Sequence, residues 1–385
     1  MTNLRIQTKM EYNKLRVIIS GGGTGGHIFP AVSIARKLVE LNPSTEILFV
    51  GAEGRMEMEK VPREGFRIVG LPVAGLQRRL TPGNILRNLL LPFKVLASVT
   101  KAASIIKEFK PDIAVGVGGY ASAPLLAAAV MKKVPTLIQE QNGFAGLTNK
   151  MLGPRVKRIC VAYEGMERFF PADRIVMTGN PIRPEMRPQT AARKLEGIEF
   201  YGFTPEKRHI LIIGGSLGSG TLNRAVQGWI EAGRPGGEDI EVLWQCGKYY
   251  KAGVDSFMEA HPCKEVKHCD FISRMDLAYA MADVVISRSG ASSVSEICAV
   301  GKAAVFVPSP NVAEDHQTHN AMALVKRGAA LMVKDAEASE RLMPEAIGLV
   351  HDSARIAALE ANASEMALPD AAQAIADEIY KVLGK

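Results

Sequence analysis

The stretch "RVIISGGGTGGHIFPA", Arg16 to Ala31, joins a short apolar run to glycines at G-x-G-x-x-G spacing: Gly21, Gly23 and Gly26. A β-branched run that ends in glycine reads as a buried strand turning into a helix. In such a turn the backbone N–H groups gather at the helix N-terminus, where an anion gains roughly 0.3–1 kcal/mol. Dinucleotide folds use this spacing to hold a pyrophosphate. Here His27 follows the last glycine directly. The stretch therefore points to an α/β fold and leaves the ligand open between a cofactor, another phosphate and a catalytic centre.

The same grammar recurs along the chain. "EILFVG", "FRIVGLPV", "DIAVGVGG", "PTLIQEQ" and "RICVAY" follow in the first half, and "HILIIGG", "IEVLWQCG", "DVVISRSG" and "AAVFVPS" in the second. Nearly continuous apolar runs separated by helix-length segments indicate parallel strands buried on both faces. "HILIIGGSLGSG" at Gly214 repeats the opening device, and the proline-rich "TGNPIRPEMRP" (Thr178 to Pro188) lies between as a linker. We expect two doubly wound, Rossmann-like domains facing a cleft: residues 15–183 and 184–368. Ala372, Ile375, Ile379 and Val382 sit at helical spacing, and we expect 369–385 to return as a helix onto the first domain.

Composition narrows the function. The 385 residues, 47% hydrophobic and 23% charged, suit a globular protein with sizeable cores. The N-terminus is polar and has no signal-peptide apolar segment, which reads as cytoplasmic. The longest uncharged stretch, Ile113 to Met131, holds Gly116, Gly118, Gly119, Ser122 and Pro124. That mixture reads as strand, turn and helix start rather than a membrane span. The five cysteines form no CxxC pair. "HPCKEVKHC" (His261 to Cys269) fits no zinc spacing, and Cys269 reads as the start of a strand, so no metal is expected. Residues 1–183 carry 26 Lys and Arg against 13 Asp and Glu, and the remainder 21 against 27. A basic first half calls for an anionic partner. No aromatic-rich basic strand or zinc finger supports nucleic acid, so a membrane or a phosphorylated ligand ranks higher.

Four turns lie at strand C-terminal ends: Gly21–Gly26, Gly116–Gly119, Gly214–Gly220 and "SRSGASSVSE" (Ser287 to Glu296). Any one of them could serve only tight strand–helix packing; four over two domains favour a phosphate-rich cleft. Glu53 in "FVGAEG" is placed as a dehydrogenase's ribose acid would be. Against NAD stand His27 after the glycines and Glu296 near the start of a later helix, where an acid accepts ribose hydroxyls. No D-x-D occurs, so the layout suits a sugar nucleotide whose leaving group is neutralised by N–H groups, a helix dipole and Arg183 rather than by Mg²⁺.

"GGGTGGHIFPA", "GVGGYASAP", "EQNGFAGLTNK", "GNPIR", "GGSLGS" and "SRSGASSVSE" closely resemble the UDP-N-acetylglucosamine:lipid I N-acetylglucosaminyltransferases of bacterial peptidoglycan synthesis, in order from about Leu15 to the C-terminus. The resemblance implies a GT-B fold, no cofactor and no metal. It implies inverting transfer of GlcNAc to the C4 hydroxyl of MurNAc on undecaprenyl-pyrophosphoryl-MurNAc-pentapeptide (lipid I), at the cytoplasmic face of the cell membrane and beside other cell-wall synthesis proteins. Carried over, it puts Thr24, Gly25, Gly26, Asn142, Arg183, Ser216 and Ile272 in the donor site. Ala291, Ser292, Ser293, Val294, Ser295 and Glu296 would hold phosphates and ribose, and Gln317 the sugar. His316 stands where many relatives have a second glutamine, so the contact made there stays open. His27 is the first choice for general base and Glu140 of "QEQN" the second. An imidazole titrates near neutrality, as a base should, although a histidine at a helix start can also simply hydrogen-bond its loop.

"LQRRLTPGNILRNLLLPFKV" (Leu76 to Val95) is the membrane candidate. Ile85, Leu86, Leu89, Leu90 and Phe93 share a helical face, and Pro92 should end or kink that helix. Packing into the core is the plainer explanation of such a stripe. Arg78, Arg79, Arg87 and Lys94 add about 1 kcal/mol each near an anionic leaflet, enough for peripheral attachment. Three alternatives are a GT-B transferase with a different lipid acceptor (diacylglycerol type), an NAD(P) oxidoreductase and a non-catalytic lipid-binding protein.

Overall fold

The computed structural model describes residues 14–73, 91–215 and 217–385. It holds two parallel sheets. The first has the order β3-β2-β1-β4-β5-β6-β7, with β1 Arg16–Gly21, β2 Glu46–Ala52, β3 Arg67–Leu71, β4 Ile113–Gly118, β5 Thr136–Glu140, β6 Arg158–Val161 and β7 Ile175–Met177. The second has the order β10-β9-β8-β11-β12-β13, with β8 Arg208–Ile213, β9 Ile240–Gln245, β10 Val266–Cys269, β11 Val284–Ser287, β12 Ala304–Phe306 and β13 Leu331–Met332.

Alternation along each strand sends neighbouring residues into opposite cores. Val17, Ile19, Ile113 and Val115 pack under the helix α1, Gly25–Leu41, against Ile28, Ile34 and Leu38. Ile18, Ala114 and Ile138 pack on the other face against Leu125, Leu126 and Ile106. The second sheet divides likewise: Ile210, Ile212 and Trp244 meet Leu222 and Leu342, while Leu211, Leu243 and Val285 meet Ile198 and Ile297. Each fully buried Leu or Ile contributes about 1.5–3 kcal/mol over an exposed one, so strands this apolar need helices on both sides. The last helix, Ala371–Val382, puts Ile375, Ala376 and Ile379 into the core beneath α1, and Arg158 pairs with its Glu378 at 3.3 Å.

Both sheets reverse direction at a switch point: between β1 and β4 in the first, between β8 and β11 in the second. Ligands of doubly wound sheets bind outside the strand C-terminal ends at such points, so the topology brings the four sequence loops together in pairs. One local expectation is corrected: Cys269 ends β10 instead of starting a strand. Pro92 lies within the helix Leu91–Phe109, and the segment before Leu91, which it was expected to end or kink, lies outside the described residues. Among the described residues no helix is long and apolar enough to cross a membrane.

Candidate active site

In the first domain the loops after β1 and β4 interlock. Gly22 N–H donates to Gly118 C=O at 3.3 Å. Gly118 and Gly119 have φ of 103° and 91°, a region that side chains disfavour. A Cβ on Gly118 would stand 2.7 Å from the His27 ring, and one on Gly119 would overlap the Gly22 carbonyl. These glycines therefore let one loop lie on the other and give the imidazole a floor.

His27 sits in the first turn of α1 behind Thr24, the N-cap residue, with Gly25 and Gly26 beside it. Its Nδ1 lies 3.1 Å from Gly22 C=O and 3.3 Å from Thr24 Oγ1. A carbonyl only accepts, so this geometry assigns the proton to Nδ1 and leaves Nε2 with a free lone pair. Burial lowers the His27 pKa below its ordinary 6.5, the Glu140 and Glu57 carboxylates and the Gly22 bond oppose the shift, and His316 adds to it. The ring is thus held neutral at neutral pH, basic at Nε2.

Glu140 is occupied differently. Its Oε1 accepts from Asn142 N–H at 3.1 Å and Asn142 Nδ2 at 3.4 Å, and its Oε2 from Gly146 N–H at 3.0 Å and Asn149 Nδ2 at 2.8 Å. A carboxylate tied to four donors shapes the Asn142–Gly146 loop. To act as a base it would have to give those bonds up.

In the second domain the loops after β8 and β11 are tied by Arg288 Nε, which donates to Ser219 Oγ at 2.9 Å. They border a cavity of about 530 Å³ lined by Gly214, Gly215, Ser219, Gly290, Ser293 and Gln317. The helix Ala291–Val300 begins at Gly290 with no side-chain cap, so the N–H groups of its first turn face this space unpaired within the helix. Ala291 and Val294 are buried there, with Ser292 and Ser293 half-buried. Gln317 Oε1 accepts from Ser309 N–H at 2.9 Å, and Ser289 Oγ donates to Gln317 C=O at 2.8 Å. Ile272 lies beyond β10 with its side chain in the core and its backbone left to the loop.

Arg183 and Glu296 meet across the linker. Arg183 Nε and Nη2 donate to Glu296 Oε1 at 3.1 and 3.0 Å, and Tyr279 OH donates to Oε2 at 3.2 Å. Burial raises the Glu296 pKa, and the guanidinium beside it pulls the other way. The domains also join at side chains that sequence reasoning missed. Buried Asn320 donates to Asn142 Oδ1 and Ser289 C=O, both at 3.1 Å, and accepts from Gly143 N–H at 2.8 Å. Asn180 donates to Gln141 C=O at 2.9 Å and Ser295 Oγ at 3.0 Å. Asn320, inside the polar run "DHQTHNA", carries no periodic signal, whereas Asn180 lies within "GNPIR", the motif that was the signal for it.

Ser216, Arg78, Arg79, Ile85, Leu86, Arg87, Leu89 and Leu90 lie outside the described residues. Of the membrane candidates, Phe93 and Lys94 are described and exposed, Phe93 at 72%, with Val95 and Leu96 beside them at 50% and 65%. Glu53 is exposed and pairs with Lys101 at 2.7 Å. The Gly23 N–H that a dinucleotide would use is taken by Glu57. That arrangement does not suit an NAD(P) site.

Two family models match the chain: the glycosyltransferase family 28 N-terminal domain over residues 17–161 and the C-terminal domain over 209–375. A Parabacteroides distasonis protein named UDP-N-acetylglucosamine–N-acetylmuramyl-(pentapeptide) pyrophosphoryl-undecaprenol N-acetylglucosamine transferase is 52% identical over 97% of this chain and 99% of its own length. A Phocaeicola vulgatus protein of the same name is 50% identical over 98% of both chains. The crystal structure of Acinetobacter baumannii MurG, 29% identical, matches with a TM-score of 0.77 over 95% of this chain and 99% of that one. The kitacinnamycin glycotransferase, 14% identical, shares the fold, with a TM-score of 0.69 over 97% and 100%. The two switch-point sheets are those of a GT-B glycosyltransferase, and the chain belongs to the family of UDP-N-acetylglucosamine–N-acetylmuramyl-(pentapeptide) pyrophosphoryl-undecaprenol N-acetylglucosamine transferases.

Proposed function

We propose that this enzyme transfers GlcNAc from UDP-GlcNAc to the C4 hydroxyl of MurNAc in undecaprenyl-pyrophosphoryl-MurNAc-pentapeptide, with inversion and without a metal, releasing UDP and lipid II. The observation that carries the reading is the free Nε2 of His27, the only ring nitrogen of that residue left for a substrate by the Gly22 bond. Nε2 takes the acceptor's hydroxyl proton as its oxygen bonds to the anomeric carbon from the face opposite UDP. The bond from that carbon to the phosphate oxygen breaks, and the electron pair leaves with UDP. General-base help of this kind contributes about 10²–10⁴-fold.

The loops after β8 and β11 supply the other half. First-turn N–H groups at Ser292 and Ser293 and the Arg183 guanidinium neutralise the pyrophosphate, and Glu296 accepts from the ribose. Ile272 meets the uracil through its backbone, and Gln317 and Asn142 meet the sugar. One preorganised donor aimed at a departing oxyanion is worth about 2.7–4 kcal/mol. Thr24, Gly25 and Gly26, beside His27 at the start of α1, meet the donor from the first domain. Residues 15–183 receive the acceptor and residues 184–368 the donor.

The basic first half and the exposed Phe93 and Lys94 support peripheral docking on an anionic inner leaflet, with lipid I reaching the cleft alongside. An assay with labelled UDP-GlcNAc and a lipid I analogue, with and without EDTA, tests the reading. Transfer that survives EDTA is expected; transfer abolished by EDTA overturns the metal-free step. Cosedimentation with anionic vesicles tests docking. Neutralising Arg78, Arg79, Arg87 and Lys94 together should release the protein, and unchanged binding refutes that role.

A further inference from the structure

The first glycine loop is filled from within. Glu57 opens the helix α2, Glu57–Arg63, and is 1% exposed. Its Oε2 accepts from Gly23 N–H at 2.9 Å and its Oε1 from Ala52 N–H at 3.0 Å. A Cβ on Gly22 would overlap this carboxyl group. An internal anion thus takes the place that the loop would otherwise offer to a phosphate.

The bonds on either side of Glu57's partner are connected. Gly22 C=O and Gly23 N–H belong to one planar peptide group. Its N–H donates to Glu57, and its C=O accepts from His27 Nδ1 at 3.1 Å. Hydrogen bonds in series polarise one another, so a negative charge at the N–H end makes the carbonyl a stronger acceptor. In a serine-hydrolase triad the carboxylate touches the imidazole directly, fixes its tautomer and stabilises the imidazolium. In this loop a single peptide stands between the two.

We propose that Glu57 is a positioning residue that acts on His27 through the Gly22–Gly23 peptide, holding Nδ1 protonated and Nε2 free and supporting the imidazolium formed during transfer. This rests on His27 being the base. The proton passes from the acceptor hydroxyl to Nε2 alone; Glu57 exchanges no proton. A carboxylate is required because both oxygens accept from N–H groups. A glutamine would turn its own NH₂ toward one of them, and an aspartate is one methylene short. The charged or titratable groups facing His27 are Glu140, Glu57 and His316; burial is the largest influence and lowers the pKa, His316 lowers it too, and the carboxylates raise it.

The test is the pH dependence of kcat for the wild type, Glu57→Gln, His27→Ala and the double variant, with UDP-GlcNAc and a lipid I analogue. Glu57→Gln should lower kcat roughly 10–100-fold, the size of carboxylate–histidine support at metal sites, and leave KM for UDP-GlcNAc unchanged. Its acid limb should move to lower pH, because the lost negative charge favours neutral imidazole and the base stays active further down. The double variant should be no slower than His27→Ala. An unmoved acid limb in a folded Glu57→Gln protein overturns the relay, as does a further loss in the double variant equal to the loss in the wild type. A His27→Ala enzyme with normal kcat fails differently: it removes the base assignment itself. If the glutamine variant does not fold, the ¹⁵N spectrum of wild-type His27 decides. A neutral ring with its proton on Nδ1 upholds the relay, and one with its proton on Nε2 overturns it.

Discussion

After β1, the Gly23 amide donates to Glu57, Gly22 carries His27 on its carbonyl, and Gly118 and Gly119 exist so that a second loop and an imidazole fit against it. After β8 and β11, the glycines border about 530 Å³ of open space, and the helix Ala291–Val300 starts without a side-chain cap. Both pairs of turns end parallel strands at a switch point, and both read alike as letters. The difference lies in who supplies the anion. The first loop brings its own carboxylate and holds His27 Nδ1 on its backbone carbonyl; the second leaves the first-turn N–H groups of the helix Ala291–Val300 without a side-chain cap. A glycine fingerprint therefore identifies the turn and not what the turn holds.

The widest gap between the loops should come from His27→Ala, with kcat lower by about 10²–10⁴-fold and UDP-GlcNAc affinity unchanged in equilibrium binding. Loss of donor affinity would break the division of labour. The wild-type kcat profile sharpens it: burial lowers the imidazole pKa, so the base stays unprotonated to lower pH and the acid limb should fall below 6.5. Gly119→Ala follows, since φ of 91° and the Gly22 carbonyl leave no room for a methyl. A cost of about 3 kcal/mol should appear as a lowered denaturation midpoint together with reduced kcat. Asn320→Ala, which orphans buried partners in both domains, should cost about 1–3 kcal/mol, read by denaturant unfolding. Gly290→Ala should be smallest on stability, within about 0.5 kcal/mol. Its φ is −65° and nothing lies within 4 Å of an added Cβ, so any effect should fall on KM for UDP-GlcNAc.

The fold was legible because parallel strands buried on both faces leave long apolar runs: "HILII", "RVIIS" and "DVVIS" all fall on strands. β7 and β13, of 3 and 2 residues, are too short to carry periodicity. At the site, His27 stood out by following glycines, and Arg183 and Glu296 by their motifs. Glu57 did not, because an acid in "EGRMEMEK" looks like every solvated acid around it; only the fold reveals that it turns inward to two backbone amides. Asn320 stayed hidden for the same reason. Hydrogen bonds between distant segments write no pattern along a chain.

The contrast between the loops is tested most directly by following backbone amides while UDP is titrated into ¹⁵N-labelled protein. The account predicts that the signals of Gly214, Gly215, Ser292 and Ser293 shift at concentrations that leave the Gly23 amide in place. A Gly23 amide that shifts first, with the second-domain loops unmoved, would contradict it.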